Sequence, residues 1–172
     1  TSFRHPLRFL APLLAAGALF AAQASELKAV TVARGLANPW AMTFLPDGRL
    51  LVTERAGRLR IVDTKGQVSE PLAGLPPIAV TGQCGLLDVV LRPDFARNGL
   101  IFFTFAEPAP GGQSGNSTAV GSARLVGDQL QDVRTVFSQK PKKRSELHCG
   151  SRIVVDRSGH LLVGLGDRFH PR

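Results

Sequence analysis

Short runs of apolar residues that alternate with polar ones, each closed by a turn signal, dominate the chain after its first 25 residues. The turn signals include Pro46-Asp47-Gly48 and Ala56-Gly57. This part of the chain has no sustained apolar period of about 3.6 residues, which an amphipathic helix would show. The pattern therefore predicts an all-β protein, whose first strands are residues 28–34, 40–45, 49–54 and 58–63.

The order of strand, turn and strand recurs farther along the chain. Residues 87–105 contain a strand, a Pro-Asp turn and a strand, and residues 152–167 repeat this order around an Asp-x-x-Gly turn. Repeats of roughly 40–50 residues with several strands each are typical of β-propeller blades, although a β-sandwich of hairpins is the simpler alternative. We predict a propeller, with the Gly-, Pro- and Ser-rich residues 107–117 as an inserted loop.

A closed propeller needs roughly four to eight four-stranded blades. At the observed repeat length the chain supplies only about two to three of them. An unclosed ring would expose strand edges and apolar blade faces. We therefore expect this sequence, which begins at Thr1 and stops at Arg172, to be the N-terminal part of a longer protein.

The first 24 residues have the composition of a secretory signal. Arg4 and Arg8 precede an uncharged apolar run, residues 9–22, and Ala22-Gln23-Ala24 supplies the small-x-small pattern of a cleavage site. The apolar run is shorter than the ~20 residues of a membrane-spanning helix. We predict a cleaved signal peptide over residues 1–24, a propeller domain over residues 25–172, and a periplasmic or secreted mature protein without a membrane span. A buried N-terminal helix or a retained anchor is the alternative.

Composition and charge narrow the functional classes. The chain has 44% hydrophobic and 20% charged residues, as ordinary globular proteins do, and a net charge of +8. Its most basic segment indicates either a solvated loop or a rim that attracts anionic ligands. The export signal and the lack of recognition motifs argue against a nucleic-acid partner. The residues of this basic segment are Lys140, Lys142, Lys143 and Arg144.

Several kinds of catalytic or structural site find no support in the sequence. Two cysteines cannot build a disulfide-rich scaffold. The chain contains neither the Cys/His spacing of a zinc site nor the Asp-rich pattern of a calcium loop. Ser145 and Ser151 lack the context of a nucleophile elbow, so a serine hydrolase is not indicated.

Three blocks of sequence resemble the soluble sugar dehydrogenases that depend on pyrroloquinoline quinone (PQQ), a family that includes soluble glucose dehydrogenase and the aldose sugar dehydrogenases. The blocks are residues 35–63, 82–95 and 147–168. The resemblance implies a six-bladed propeller with PQQ and sugar at one end of the central channel. It also implies Ca²⁺ as a second cofactor, an aldose as substrate and an external electron acceptor. The PQQ and Ca²⁺ ligands of the family come mostly from later blades, so none is assigned here.

The resemblance also assigns roles to two residues. Gln83, in Gly82-Gln83-Cys84-Gly85, matches a glutamine that contacts the sugar. His148 matches a histidine that acts as general base when the C1 hydroxyl of an aldose is oxidised to a lactone. A neutral imidazole suits this task near neutral pH, while PQQ accepts the hydride.

The sequence departs from the family pattern at three positions near these residues. Leu147 stands where a polar residue usually precedes the base, and Cys84 and Cys149 each follow a site residue directly. If Gln83 and His148 share one pocket, the two cysteines come close to each other, and a Cys84–Cys149 disulfide between neighbouring blades is one hypothesis. Two separate buried thiols are the other.

Two further functions stay open beside the sugar dehydrogenase. A secreted propeller that only binds its ligand would fit the loss of the polar residue at Leu147. A propeller lactonase would need metal-binding carboxylates that converge on the channel, and too few are present. Asp167, at the end of the third block, fits either the channel mouth or an ordinary loop carboxylate paired with an arginine.

Overall fold

Antiparallel strands make up almost all of the regular structure in the computed structural model, which describes residues 27–169. The first sheet contains β1 (Pro39–Phe44), β2 (Leu50–Glu54) and β3 (Arg58–Val62). The second contains β4 (Leu86–Leu91), β5 (Leu100–Pro108), β6 (Asn116–Val126) and β7 (Gln129–Ser138), and the third contains β8 (Gly150–Val155) and β9 (Leu161–Leu165). A short helix, α1 (Phe95–Asn98), and a 3₁₀ turn, Pro110–Gly112, lie in loops of the second sheet.

The predicted all-β fold class is confirmed, and the three sheets follow the blade order of a β-propeller, with neighbouring strands joined by hairpins. The four-stranded second sheet is one complete blade. The signal peptide predicted for residues 1–24 lies outside the described residues and stays a prediction. Within residues 27–169 the structure contains no helix with the length and hydropathy of a membrane span.

Two parts of the strand prediction are wrong. Residues 28–34 alternate in sequence but form no strand, since alternation yields a strand only where a partner strand offers hydrogen bonds. The loop predicted over residues 107–117 is shorter, because β5 and β6 stay paired as far as Pro108 and Asn116. Strand β6 gave no alternating signal because residues 116–123 are buried without interruption.

An apolar core between the first and second sheets holds them together. Strand β5 contributes Phe103 and Phe105, both fully buried, whose ring centroids lie 5.8 Å apart. Burial of side chains of this size stabilises the fold by roughly 1.5–3 kcal/mol each. The other buried members of the core are Leu45, Leu51, Leu59, Ile61, Leu72, Leu86, Val89, Ile101, Ala119, Ala123 and Leu125.

A threonine hydroxyl joins each of the first two sheets to the next one. In each of these sheets the pairing of the first strand is irregular opposite the threonine, which leaves a backbone N–H of that strand without a ladder partner. The threonine hydroxyl accepts this N–H: Thr53 accepts the Ala41 N–H at 3.0 Å, and Thr104 accepts the Asp88 N–H at 2.9 Å. The same hydroxyls donate across the gap, Thr53 to the Leu87 carbonyl at 2.6 Å and Thr104 to the Ser151 carbonyl at 2.9 Å. Each threonine thus satisfies buried backbone groups of two sheets.

The buried carboxylate of Asp88 forms a second link between the second and third sheets. Its Oδ2 accepts the backbone N–H of Ile153 at 2.8 Å, and its Oδ1 accepts a bond from the Arg152 guanidinium at 3.1 Å. The guanidinium of Arg152 also lies 5.1 Å from the ring centroid of Trp40, at a cation–π distance. The first half of strand β8 is therefore fixed against β4.

The threonine link predicts a large effect for a nearly isosteric substitution. Thr104→Val should lower the free energy of unfolding by about 1–3 kcal/mol, because the Asp88 N–H and the Ser151 carbonyl lose a buried partner. Urea denaturation of the purified protein measures this. Thr135→Val on the exposed face of β7 is the matched control and should change stability by less than about 0.5 kcal/mol. Equal stabilities of the two variants would show that the buried hydroxyl does not support the fold.

Candidate active site

Loops at one end of the sheets bring Gln83 and His148 together, although 65 residues separate them in sequence. The backbone N–H of His148 donates to Oε1 of Gln83 at 2.9 Å, and the backbone N–H of Gln83 donates to the Glu146 carbonyl at 2.8 Å. Both side chains are exposed at the surface of this end. The two residues singled out from the sequence thus lie side by side, on the loops before β4 and before β8.

Two glycines allow these loops to approach so closely. A Cβ atom on Gly166 would lie 1.7 Å from the His148 carbonyl oxygen, well inside contact distance. Gly82 has a φ of +48°, in the left-handed region, and a Cβ there would lie 2.6 Å from the Glu146 carbonyl oxygen. Any other residue at either position would push the His148 loop away.

Asp167 is the acidic partner of His148. Its Oδ1 lies 2.8 Å from Nδ1 of the imidazole and also accepts the backbone N–H of Phe169 at 2.9 Å. The Phe169 ring packs edge-on against the imidazole, with 5.1 Å between ring centroids. Sequence reasoning considered Asp167 but did not connect it with His148, because it searched for an orienting residue next to the histidine, at Leu147.

The carboxylate fixes the tautomer of the neutral imidazole. An ionised carboxylate can only accept a hydrogen bond, so Nδ1 of His148 carries the proton and Nε2 keeps its lone pair. The side chain of His148 is 45% exposed, which leaves the imidazole accessible to a small molecule. The geometry therefore places an oriented, accessible imidazole beside the amide of Gln83.

Cys84 and Cys149 form a disulfide in the structure, with their Cα atoms 5.8 Å apart. Each cysteine directly follows a site residue, so the bond ties the Gln83 loop to the His148 loop covalently. Both cysteines are buried in a small apolar cluster with Leu87 and Ala106.

The basic segment divides into a buried and an exposed part. The Lys142 ammonium contacts Glu107 and donates to the hydroxyls of Ser117 at 2.9 Å and Ser138 at 3.0 Å. Burial alone would raise the pKa of Glu107, but hydrogen bonds from Lys142 and Ser138 outweigh it and the pKa is lowered. Lys142 is thus held in an ion pair with Glu107, and both side chains are half-buried.

The other three cations of this segment are at least partly open to solvent. Lys140 and Arg144 are exposed and Lys143 is half-buried. Lys140 and Lys143 line a cavity of about 390 Å³ together with Asp167. The rim for anionic ligands, predicted from the whole basic segment, stays a prediction, and Lys142 is the cation of that segment that pairs with Glu107. Across residues 27–169, no group of three or more His, Cys, Asp or Glu side chains is arranged to hold a metal ion.

Comparison with known proteins finds similar sequences over most of this chain. The family model of glucose/sorbosone dehydrogenases matches residues 36–172. The aldose sugar dehydrogenase YliI of Escherichia coli (strain K12) is 42% identical over 162 residues, which cover 92% of this chain and 43% of that protein. An uncharacterised protein of Synechocystis, slr1608, is 38% identical over 85% of this chain and 37% of its own length. The chain thus spans less than half the length of these curated relatives.

Two solved structures of aldose sugar dehydrogenases are also similar to this chain. The apo form of the soluble aldose sugar dehydrogenase from Escherichia coli superposes with a TM-score of 0.73 at 42% identity, over 78% of this chain and 39% of that one. The PQQ-bound aldose sugar dehydrogenase from Streptomyces coelicolor superposes with a TM-score of 0.67 at 32% identity, over 82% of this chain and 41% of that one.

The disulfide beside the site predicts a measurable stabilisation. The double variant Cys84→Ser/Cys149→Ser should lose about 2–5 kcal/mol of unfolding free energy, because the bond closes a long loop between residues 65 positions apart. Denaturation in urea with and without dithiothreitol measures this. Reductant should destabilise the wild type to a similar extent and leave the double variant unchanged. A wild type that is insensitive to reductant and titrates two free thiols would contradict the bond.

Proposed function

The chain belongs to the glucose/sorbosone dehydrogenase family, and we propose that it supplies the base and a sugar contact of a PQQ-dependent dehydrogenase that oxidises aldoses at C1. The observation that supports this most is the pair formed by His148 and Asp167 beside Gln83. The PQQ-bound relative from Streptomyces coelicolor supports the choice of cofactor. Because the chain covers less than half of its curated relatives, the activity belongs to the proposal for the whole protein.

In the proposed reaction Nε2 of His148 removes the proton from the C1 hydroxyl of the cyclic aldose. PQQ, when bound, would supply the hydride acceptor for C1, so that loss of the proton and the hydride would leave a lactone. As the imidazole gains its proton, the Asp167 carboxylate stabilises the resulting charge, as the aspartate of a catalytic triad does. The Gln83 carbonyl is occupied by the His148 N–H, so its NH₂ group is the part suited to donate to a sugar hydroxyl.

The groups on this chain fit an anionic cofactor only at the rim. PQQ carries three carboxylates, and Lys140, Lys143 and Arg144 are the cations suited to attract them toward the site. For Ca²⁺, which the family resemblance implies, we expect ligands outside the described residues, and no step above depends on the ion. Export to the periplasm, guided by residues 1–24, remains part of the proposal. An external electron acceptor that reoxidises the cofactor is also part of the proposal.

A propeller that only binds its ligand is less well supported. Leu147, the residue before His148, cannot orient the imidazole through a polar side chain. Asp167 provides the orienting partner from the neighbouring loop, at 2.8 Å.

The proposed base predicts a selective loss of activity. The protein expressed from its complete reading frame, supplied with PQQ and Ca²⁺, should reduce an artificial dye in the presence of aldoses. His148→Ala should lower kcat about 10²–10⁴-fold, the usual contribution of a general base. His160→Ala is the matched control, because His160 also contacts an aspartate through Nδ1, at 3.0 Å, but lies in the Asp156–His160 turn at the other end of the sheets.

The outcomes separate the candidate functions. Unchanged turnover in His148→Ala would remove the assignment of the base, and absence of turnover with every aldose would favour the binding function. We expect the 172-residue chain on its own to give no turnover, because no cofactor ligand is assigned within it and its curated relatives are more than twice as long. PQQ-dependent dye reduction by this chain alone would contradict that expectation.

A further inference from the structure

Arg168, the residue after Asp167, is almost completely buried although it carries a charge. It is 2% exposed, and burial lowers the pKa of its guanidinium. No carboxylate is among its hydrogen-bond partners, and Nε and Nη1 have none among the described residues. Burying a guanidinium with neutral partners only costs several kcal/mol. The free-energy cost of burying Arg168 therefore raises the question of which parts of the structure this side chain holds in place.

The guanidinium joins two loops of the site to strand β6. Its Nη2 donates to Oδ1 of Asn116 at 2.5 Å and to the Ser145 carbonyl at 2.6 Å. Asn116 is the first residue of β6, and its backbone N–H and carbonyl both bond to Lys143 at 2.9 Å. Arg168 is therefore anchored to the sheet and to the beginning of the His148 loop at once.

The backbone of Arg168 completes the connection. The Ser145 hydroxyl donates to the Arg168 carbonyl at 2.7 Å, and the Arg168 N–H donates to the His148 carbonyl at 3.3 Å. Its φ of +61° lies in the left-handed region, which a non-glycine residue adopts at a cost of about 1 kcal/mol or more. Contacts on both sides of the residue thus hold a backbone turn that directly follows Asp167.

We propose that Arg168 is a positioning residue of the site: its bonds to Asn116 and Ser145 hold the loops that carry Asp167 and His148 at the spacing that fixes the imidazole tautomer. This inference rests on the proposed function for the importance of the tautomer, but the clamp itself does not depend on catalysis. Arg168 acts through Asp167 and need not touch sugar or cofactor.

The test reads the tautomer of His148 directly. Long-range ¹H–¹⁵N spectra of protein labelled at histidine, without PQQ, distinguish Nδ1–H from Nε2–H imidazole, and His148→Ala assigns the signal. The Nδ1–H form should predominate in the wild type, and Arg168→Gln should raise the Nε2–H fraction several-fold. Arg168→Lys, which retains the charge and can reach one acceptor, should restore part of the wild-type pattern. Arg97→Gln, at a side chain 83% exposed at the other end of the sheets, is the control without effect.

A second variant guards against a folding defect. Ser145→Ala leaves the guanidinium bonds intact and removes the bond from the serine hydroxyl to the Arg168 carbonyl, together with the bond which that hydroxyl accepts from the Leu147 N–H at 3.3 Å. It should shift the tautomer in the same direction by a smaller amount. Circular dichroism checks the fold of each variant. A folded Arg168→Gln or Ser145→Ala protein with an unchanged Nδ1–H signal would overturn the inference.

Kinetics then connect the clamp with catalysis. In an active enzyme, Arg168→Gln should lower kcat about 10–100-fold with KM within about twofold, the effect of misplacing a reacting group by a fraction of an ångström to 1 Å. If the wild type oxidises no aldose while Arg168→Gln still shifts the tautomer, the proposed function fails and the clamp stands. If the enzyme is active and the tautomer does not respond, the clamp fails and the function stands.

Discussion

The site depends on the hydroxyl of Thr104, which joins two sheets that share no strand. This hydroxyl accepts the Asp88 N–H on β4 and donates to the Ser151 carbonyl on β8. Ser151 is only three residues after His148, so the bond sets the position of the His148 loop relative to the Gln83 loop before β4. The distance between His148 and Gln83 therefore depends in part on a buried polar contact inside the sheets that is costly to lose. The third sheet has the same kind of irregularity in its first strand, β8, but the residue opposite it on β9 is Gly164, which has no hydroxyl to form such a link.

The sequence indicated individual residues of the candidate site better than it indicated their arrangement. Gln83, His148 and the two cysteines were found because each lies in a short motif. Hairpin register read from the turn would have brought position 148 only near Asp167, opposite Arg168. The irregularity between Gly150 and Ile153 shifts the pairing by one residue, so that 148 lies opposite 167. Strand β6 could not be read from alternation, because its residues are buried on both faces. Residues 28–34 show the converse error, since they alternate but have no partner strand in the described structure.

Exposure and rigidity make opposite demands on these loops. An imidazole that meets a sugar must be open to solvent, yet an exposed loop is the part of a fold that opens most easily. Three constraints outside the imidazole resolve this: the disulfide, the bond from the His148 N–H to Gln83, and the buried Arg168 clamp. All three act on backbone or buried atoms and not on the imidazole ring, so the His148 side chain remains 45% exposed. Charge in the neighbouring basic segment is also compensated locally, because the Lys142 ammonium contacts the Glu107 carboxylate.

Contact between a histidine and an aspartate does not by itself make a base, and the second such pair in this chain shows why. His160 and Asp156 belong to one turn, and the pKa of Asp156 is lowered first by the backbone N–H of His160 and then by its side chain. That carboxylate organises the turn, since it accepts the backbone N–H groups of Ser158 and His160, and the His160 side chain is 76% exposed. Asp167 instead reaches His148 across a hairpin, on a loop that a buried arginine holds. The surroundings, not the pair, make His148 the candidate for proton transfer.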